Sequence, residues 1–575
     1  MSAEHNFFWA RALVAQLLRA QVAHAVLCPG SRSTPLALAL FREKHIQSHV
    51  VLDERAAGFF ALGLAKATQH PVALVCTSGS AGAHFFPAIT EAFFSRAPLF
   101  VVTADRPWEL HGFGAPQTMP QHGLYGSFVC MSETIPAPGE NKAAWLHMQA
   151  VVAKALADAQ HKSLPAHLNF EFREPLCSTP TPEPLPSLPP TPTFVYSECG
   201  LAPHSLDKVH SALDAALRPL ILVGHNPKSP RFASALFRLS KKLSAPLLAE
   251  AASNLRFQTR KEVPVIASYD ILLRDEGFRK HMKPDCILCF GGTLVSKHVQ
   301  TWLGESGARI FTFAEHGVAA DFQHLSEAVI QCNVAKACRH LEQHVSGEVS
   351  DRGRTYSEQF ARTEEAVQHT LSKLLEDAWC EPSIARKTMQ AIPSGSNCFI
   401  SNSMPMRDVD AFAAASSKEI HVYANRGLNG IDGLVSTAQG VAVATQRPTF
   451  LLMGDLAFLH DIGGWMLAKH LEVPFVVVVV NNQGGGIFHF LPVATQPEAF
   501  EACFALPHDT PFSKVAELTG AAYSNPKTLS EFSSALSVAS KGRLSLIEVC
   551  TNRHDNVHVH QALYEGVLKS LKECV

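Results

Sequence analysis

The sequence predicts an α/β protein of three doubly wound domains, each built on a parallel sheet. Three observations carry this expectation. At 575 residues, the chain has room for roughly 3.8 domains of about 150 residues, more than one core supports. Short apolar runs alternate with stretches of helical periodicity, as βαβ units require. These alternations fall into three blocks, and the runs of the first and third are almost wholly apolar, as in strands covered on both faces.

The first block, residues 1–180, holds the strand-like runs AHAVLCPG, HVVLDE, VALVCTSGS, PLFVVTAD and AHLNFEF. From Glu174 to Thr193 there are eight prolines in twenty residues. Such a segment continues neither a helix nor a central strand, so a linker is expected over 181–200. The second block, 201–350, holds RPLILVGHN, APLLAEA, DCILCFGG and RIFTFAE. A polar helical stretch near 350–376 opens the third block, 351–575. Its runs are NCFISNS, EIHVYAN, RPTFLLMGD, VPFVVVVVNN and LSLIEVC.

Apolar residues make up 47% and charged residues 17%, which excludes disorder as the main state. Lys+Arg 49 against Asp+Glu 51 leaves a net charge of −2. No overall field exists to hold nucleic acid or an anionic membrane, so an anion must be met by local residues. The 14 cysteines are scattered rather than framed as in small secreted domains. Cys286 and Cys289 form a lone CxxC inside an apolar run, which reads as a buried strand. The N-terminus lacks a basic, cleavable leader, and the run Val473–Val480 is far too short to span a bilayer. A cytoplasmic protein without stable membrane insertion is expected.

The strongest chemical signal is Gly454-Asp455-Leu456, followed 27 residues after Asp455 by Asn482 in Asn481-Asn482. That spacing is one strand–helix–strand unit, placing both at carboxyl ends of parallel strands, where such sheets bind ligands. A carboxylate, an amide oxygen and a backbone carbonyl are hard donors suited to Mg²⁺. Gly484-Gly485-Gly486 allows close approach of backbone to a phosphate. In isolation, the same residues also suit ordinary turns after buried strands.

This arrangement resembles the thiamine diphosphate motif, in which Gly-Asp-Gly precedes Asn-Asn; here Leu456 replaces the second Gly. Such enzymes also need a Glu at a strand end in another α/β domain, and Glu54, which ends HVVLDE and begins a helical stretch, matches it. Beyond these, Gly30-Ser-Arg-Ser-Thr-Pro35, Asp53-Glu-Arg55, Thr77-Ser-Gly79, Thr103-Ala-Asp-Arg-Pro107 and Gly114-Ala-Pro-Gln117 recur in order. Asn425-Arg-Gly427, Gly430-Ile-Asp-Gly433 and Asn481 to Phe488 follow. Together they resemble the 2-succinyl-5-enolpyruvyl-6-hydroxy-3-cyclohexene-1-carboxylate synthase (MenD) family, over nearly the whole chain. Leu456 is usual in that family.

The resemblance implies a pyrimidine-binding first domain, a central domain and a diphosphate- and Mg-binding third domain. It implies decarboxylation of 2-oxoglutarate and 1,4-addition of the product to isochorismate, with thiamine diphosphate and Mg²⁺ (or Mn²⁺) as cofactors. Glu54 is then the catalytic carboxylate, and Asp455, Asn482 and the Gly484 carbonyl hold the metal. Ile431, Gly454, Leu456, Gly485, Ile487 and Phe488 complete the cofactor contacts, with Ile431 as an apolar wedge.

Two dicarboxylate substrates need concentrated cations, preferably Arg for bidentate pairing. Ser403, Arg407 and Arg426 are assigned to 2-oxoglutarate. Ser31, Arg32, Arg106, Gln117 and Lys297 are assigned to isochorismate, with Ile487, Phe488 and Leu491 walling the pocket. His298 stands where the family often has Arg, and a neutral imidazole offers one donor. The resemblance also implies a homodimer or homotetramer with active sites between subunits. His554, His558 and His560 look like a metal cluster, but similar family stretches carry no metal. Another thiamine diphosphate-dependent 2-oxoacid decarboxylase or carboligase, or a non-catalytic paralogue, is the alternative reading.

Overall fold

The computed structural model describes residues 3–177, 192–196, 204, 206–225, 230–315, 320–345 and 351–574. Most of the Pro-rich segment expected at 181–200 therefore lies outside the described residues. The chain forms two compact units. One comprises Met1–Ser197, Asn425–Gln446 and Leu459–Val473; the other comprises Glu198–Ala424, Arg447–Phe458 and Pro474–Val575.

The first unit contains β1 (His24–Leu27), β2 (Gln47–Val50), β3 (Val72–Cys76), β4 (Leu99–Asp105), β5 (Ser132–Ile135) and β6 (Ala166–Glu171). They form one parallel sheet in the order β2-β1-β3-β4-β6-β5. Side chains alternate between two cores. Ala73, Val75, Phe100 and Val102 face one, while Leu74, Cys76, Leu99 and Val101 face the other. Both faces are thus covered, and the sheet is doubly wound.

Helix Glu54–Thr68 lies against helix Leu434–Thr445 of the same unit. Asp53 caps the first of these by accepting from the Arg55 amide at 2.9 Å. Glu54 begins this helix as expected, although the strand in HVVLDE stops short of it, β2 ending at Val50.

The second unit carries two further parallel sheets. One runs β12-β11-β10-β7-β8-β9, from β7 (Pro219–Val223), β8 (Leu247–Ala249), β9 (Val265–Ile266), β10 (Cys286–Phe290), β11 (Arg309–Ala314) and β12 (Ala328–Gln331). The other runs β14-β13-β15-β16-β18-β17, from β13 (Asn397–Ile400), β14 (His421–Tyr423), β15 (Thr449–Gly454), β16 (Phe475–Asn481), β17 (Ala522–Ser524) and β18 (Leu544–Cys550).

Four strands were absent from the sequence expectation: β5, β9, β12 and β17. All four are sheet edges. All are short; β5, β12 and β17 are also partly exposed, whereas β9 is buried but only two residues long, so none shows the apolar run that marks a central strand. The polar stretch near 350 is helix Asp351–Leu374. Cys286 and Cys289 lie on β10, where burial pushes both thiols up to about 12. Among the described residues, no helix is long and apolar enough to cross a membrane.

Candidate active site

In the third sheet, Gly454 on β15 pairs in register with Val480 on β16, and Asn481 pairs with Cys550 on β18. Asp455 and Asn482 therefore emerge side by side at the carboxyl ends of central strands. Asp455 is 2% exposed and Asn482 is 8% exposed. The Asp455 carboxylate accepts from the Leu456 amide at 2.7 Å and from the Gly484 amide at 2.9 Å.

Gly484 is required by its surroundings. Its φ is +145°, and a Cβ there would lie 2.4 Å from the Ala505 carbonyl oxygen. The Gly485 amide donates to that same carbonyl, which ties the glycine loop to the Glu501–Ala505 turn. Ile487 and Phe488 are half-buried just beyond, and Leu491 is exposed.

The donor chemistry suits a hard divalent cation. Asn482 Nδ2 donates to Glu381 at 2.8 Å, whereas Asn482 Oδ1 is buried with no hydrogen-bond partner. An orphaned buried acceptor beside a buried carboxylate and a glycine loop is a site that fits Mg²⁺ or Mn²⁺. His508, which the motifs do not mark, places Nε2 3.2 Å from Asp455 Oδ2. It comes from a loop 53 residues downstream, and no local pattern signals it. Glu381 was missed as well; burial, with Asp408 close by, pushes its carboxyl above the usual range.

Ser403 and Arg407 come together at the helix that follows β13. Ser403 has φ +72° and precedes helix Met404–Phe412, and its carbonyl accepts from Arg407 at 2.8 Å. A non-glycine residue in that region is held there by its context. Lys297 is the exposed first residue of helix Lys297–Ser306, after β10. His298 beside it is shifted below the ordinary histidine range by burial, with Arg274, Lys297 and Arg279 adding to the shift and Asp270 opposing it.

In the first unit, Arg32 is 7% exposed and donates to the Phe172 carbonyl at 2.9 Å and to Glu174 at 3.2 Å. Burial and then the neighbouring charge of Arg106 lower its guanidinium from the usual value. Arg106 donates to the Ser78 hydroxyl and, at 2.7 Å, to the Gln117 carbonyl. The Gln117 side chain returns to the Ser78 carbonyl at 3.1 Å. Arg32, Arg106 and Gln117 are thereby gathered at the carboxyl ends of β3 and β4, with exposed Ser31 adjoining Arg32.

Glu54 sits near Cys28 and Cys76. Burial raises both thiols, and the Glu54 charge adds to the effect. The loop carrying Arg426 is pinned by Glu91, which accepts from the Gly427 and Leu428 amides at 2.9 and 2.8 Å. Lys66 joins Glu91 at 3.2 Å and Asn425 at 2.8 Å. Half-buried Ile431 precedes Gly433, where a Cβ would lie 1.9 Å from the Phe59 ring.

The terminal histidines do not assemble as a trio. His560 is buried 2.7 Å from Asp408, and His558 is exposed. His554 instead approaches His489 and Glu501, with donor atoms within 4.8 Å of one another. Glu501 already pairs with Arg553 at 2.6 Å, so a cation there would have to displace a guanidinium.

Three parallel sheets and a hard-donor set at strand ends define a thiamine diphosphate enzyme, and the comparisons agree. Residues 9–125 match the thiamine pyrophosphate enzyme N-terminal TPP binding domain, 215–400 the middle domain and 411–549 the C-terminal TPP binding domain. Relatives named 2-succinyl-5-enolpyruvyl-6-hydroxy-3-cyclohexene-1-carboxylate synthase match along nearly their whole length. The protein from Myxococcus xanthus (strain DK1622) is 42% identical, covering 99% of this chain and 98% of the relative. That from Geobacillus kaustophilus (strain HTA426) is 38% identical, covering 99% of each. The chain belongs to the 2-succinyl-5-enolpyruvyl-6-hydroxy-3-cyclohexene-1-carboxylate synthase family.

Proposed function

We propose that this chain decarboxylates 2-oxoglutarate and adds the remaining four-carbon unit to isochorismate. The product is 2-succinyl-5-enolpyruvyl-6-hydroxy-3-cyclohexene-1-carboxylate, a precursor for menaquinone or phylloquinone. The observation that carries this reading is the buried, unpartnered Asn482 Oδ1 at the end of the strand next to that of Asp455, whose carboxylate accepts from the Gly484 amide. Family membership narrows the chemistry to this reaction.

Asp455, Asn482 and the Gly484 carbonyl would hold Mg²⁺ or Mn²⁺, which would offset the charge of the cofactor's diphosphate. Thiamine diphosphate, when bound, supplies the nucleophilic carbon and the electron sink for loss of carbon dioxide. Glu54 hydrogen-bonds the aminopyrimidine ring and favours the tautomer that accepts a proton. Ile431 would offer the bound cofactor an apolar contact. Ser403, Arg407 and Arg426 bind the 2-oxoglutarate carboxylates, and Ser31, Arg32, Arg106, Gln117 and Lys297 bind isochorismate. Ile487, Phe488 and Leu491 keep water out.

Glu54 belongs to the first unit, while the proposed metal donors belong to the second. Family resemblance supports a cytoplasmic homodimer or homotetramer whose active sites are completed between subunits. The test is mass detection of the product from purified protein, thiamine diphosphate, Mg²⁺ and both substrates. Absence of product with both substrates present would refute the reading.

A further inference from the structure

We propose that Glu381 is a positioning residue that sets which end of the Asn482 amide faces the metal. The inference rests on the metal reading of Asp455, Asn482 and Gly484 given above. Glu381 opens helix Glu381–Ala391 and is 4% exposed. Its Oε1 accepts from Asn482 Nδ2 at 2.8 Å and from the Thr551 hydroxyl at 3.0 Å.

An asparagine amide has a donor end and an acceptor end of nearly equal size. Only the acceptor end can ligate a cation. Asn482 Oδ1 is buried and unpartnered, so burial alone gives it no preferred direction. Glu381 Oε1 already accepts from the Thr551 hydroxyl and so faces Asn482 as an acceptor, whichever charge the carboxyl carries, and the amide end that meets it is Nδ2. The planar amide then presents Oδ1 on its other side. A glutamine at 381 would lose this one-way character, because its amide can meet either end of Asn482.

The backbone of the same turn is fixed independently. Arg553 donates to the Gln483 carbonyl at 2.9 Å and to the Asn482 carbonyl at 3.3 Å. The Thr551 amide donates to the Asn481 carbonyl at 3.0 Å. With the main chain held, the remaining freedom at Asn482 is the amide flip, and Glu381 removes it. Outer contacts of this kind typically change metal affinity about 10- to 100-fold.

The test is calorimetric titration of full-length protein with Mg²⁺ at saturating thiamine diphosphate, repeated with Mn²⁺. Glu381→Gln should weaken binding of both metals at least about tenfold, while the unfolding midpoint without metal stays near that of the parent. A second cycle separates orientation from general damage. Asn482→Asp has no donor end to misplace, and its carboxylate is repelled by Glu381. Adding Glu381→Gln to Asn482→Asp should therefore strengthen metal binding, reversing the sign seen with Asn482 in place. Parent-like affinity in Glu381→Gln, or weakening in both backgrounds, would overturn the proposal. If the parent protein itself binds thiamine diphosphate with no dependence on Mg²⁺, the metal site fails and the proposal with it.

Discussion

Gly63 and Gly440 meet where helix Glu54–Thr68 crosses helix Leu434–Thr445, with no space for a methyl group on either. A Cβ on Gly63 would lie 2.0 Å from the Thr437 carbonyl oxygen, and one on Gly440 would lie 2.1 Å from that of Phe60. The obstructing atoms are backbone, so no rotamer change relieves the clash. The contact joins the helix begun by Glu54 to the helix that follows Ile431.

Gly63→Ala and Gly440→Ala should each force the helices apart and destabilise the protein by about 1–3 kcal/mol or more. Thermal unfolding checks this. Unchanged midpoints in both variants would mean that the helices do not pack this closely.

Glu54→Gln should preserve the fold and thiamine diphosphate binding, yet lower kcat by roughly 10²–10⁴. Gln keeps the shape but not the acidity that shifts a proton on the aminopyrimidine. Steady-state assays at saturating cofactor decide it, and near-parental kcat would remove Glu54 from the chemistry.

Asp455→Ala should weaken metal and cofactor binding together, because a hard ligand and a negative charge leave the same site. It also frees the Gly484 amide, which now donates to Asp455 at 2.9 Å. Calorimetry at limiting Mg²⁺ would show the loss, and full thiamine diphosphate affinity would contradict the assignment.

Arg407→Ala should raise KM for 2-oxoglutarate more than for isochorismate, and Arg106→Ala should do the reverse. Loss of one charge-assisted contact costs about 1.5–3 kcal/mol, roughly ten- to a hundredfold. Equal effects on both substrates would mean that the pocket is divided differently.

Asp461 provides a pH prediction. Burial, with Asp53 adding to it, pushes its carboxyl up to about 7, while it accepts from the Ser436 amide and hydroxyl. The folded state thus holds a proton that the unfolded chain releases near pH 4. Its contribution is fully present below about pH 4 and is lost as pH rises through about 7, up to the order of 4 kcal/mol. Asp461→Asn should therefore gain stability relative to the parent between pH 4 and 7, with no further gain above. A difference in unfolding midpoint that stays constant across that range would contradict the shift.

The sequence by itself determined the class of fold, the central strands and the strand-end positions of Asp455 and Asn482. Strands covered on both faces must be apolar throughout, and that demand is local enough to read along the chain. Four of the six edge strands escaped: SETI and AYS meet solvent in part and resemble any loop, and the two-residue Val265–Ile266, though buried, is too short to stand out. Tertiary structure alone decided the long-range polar pairings. Glu381 meets Asn482 across 101 residues, and Lys66 meets Asn425 across 359. Such contacts satisfy buried groups whose partners are set by how sheets and helices stack, and no periodicity records them. Residue types at strand ends therefore announce the chemistry. Which way an amide points, and how closely two helices cross, is settled only when distant segments pack.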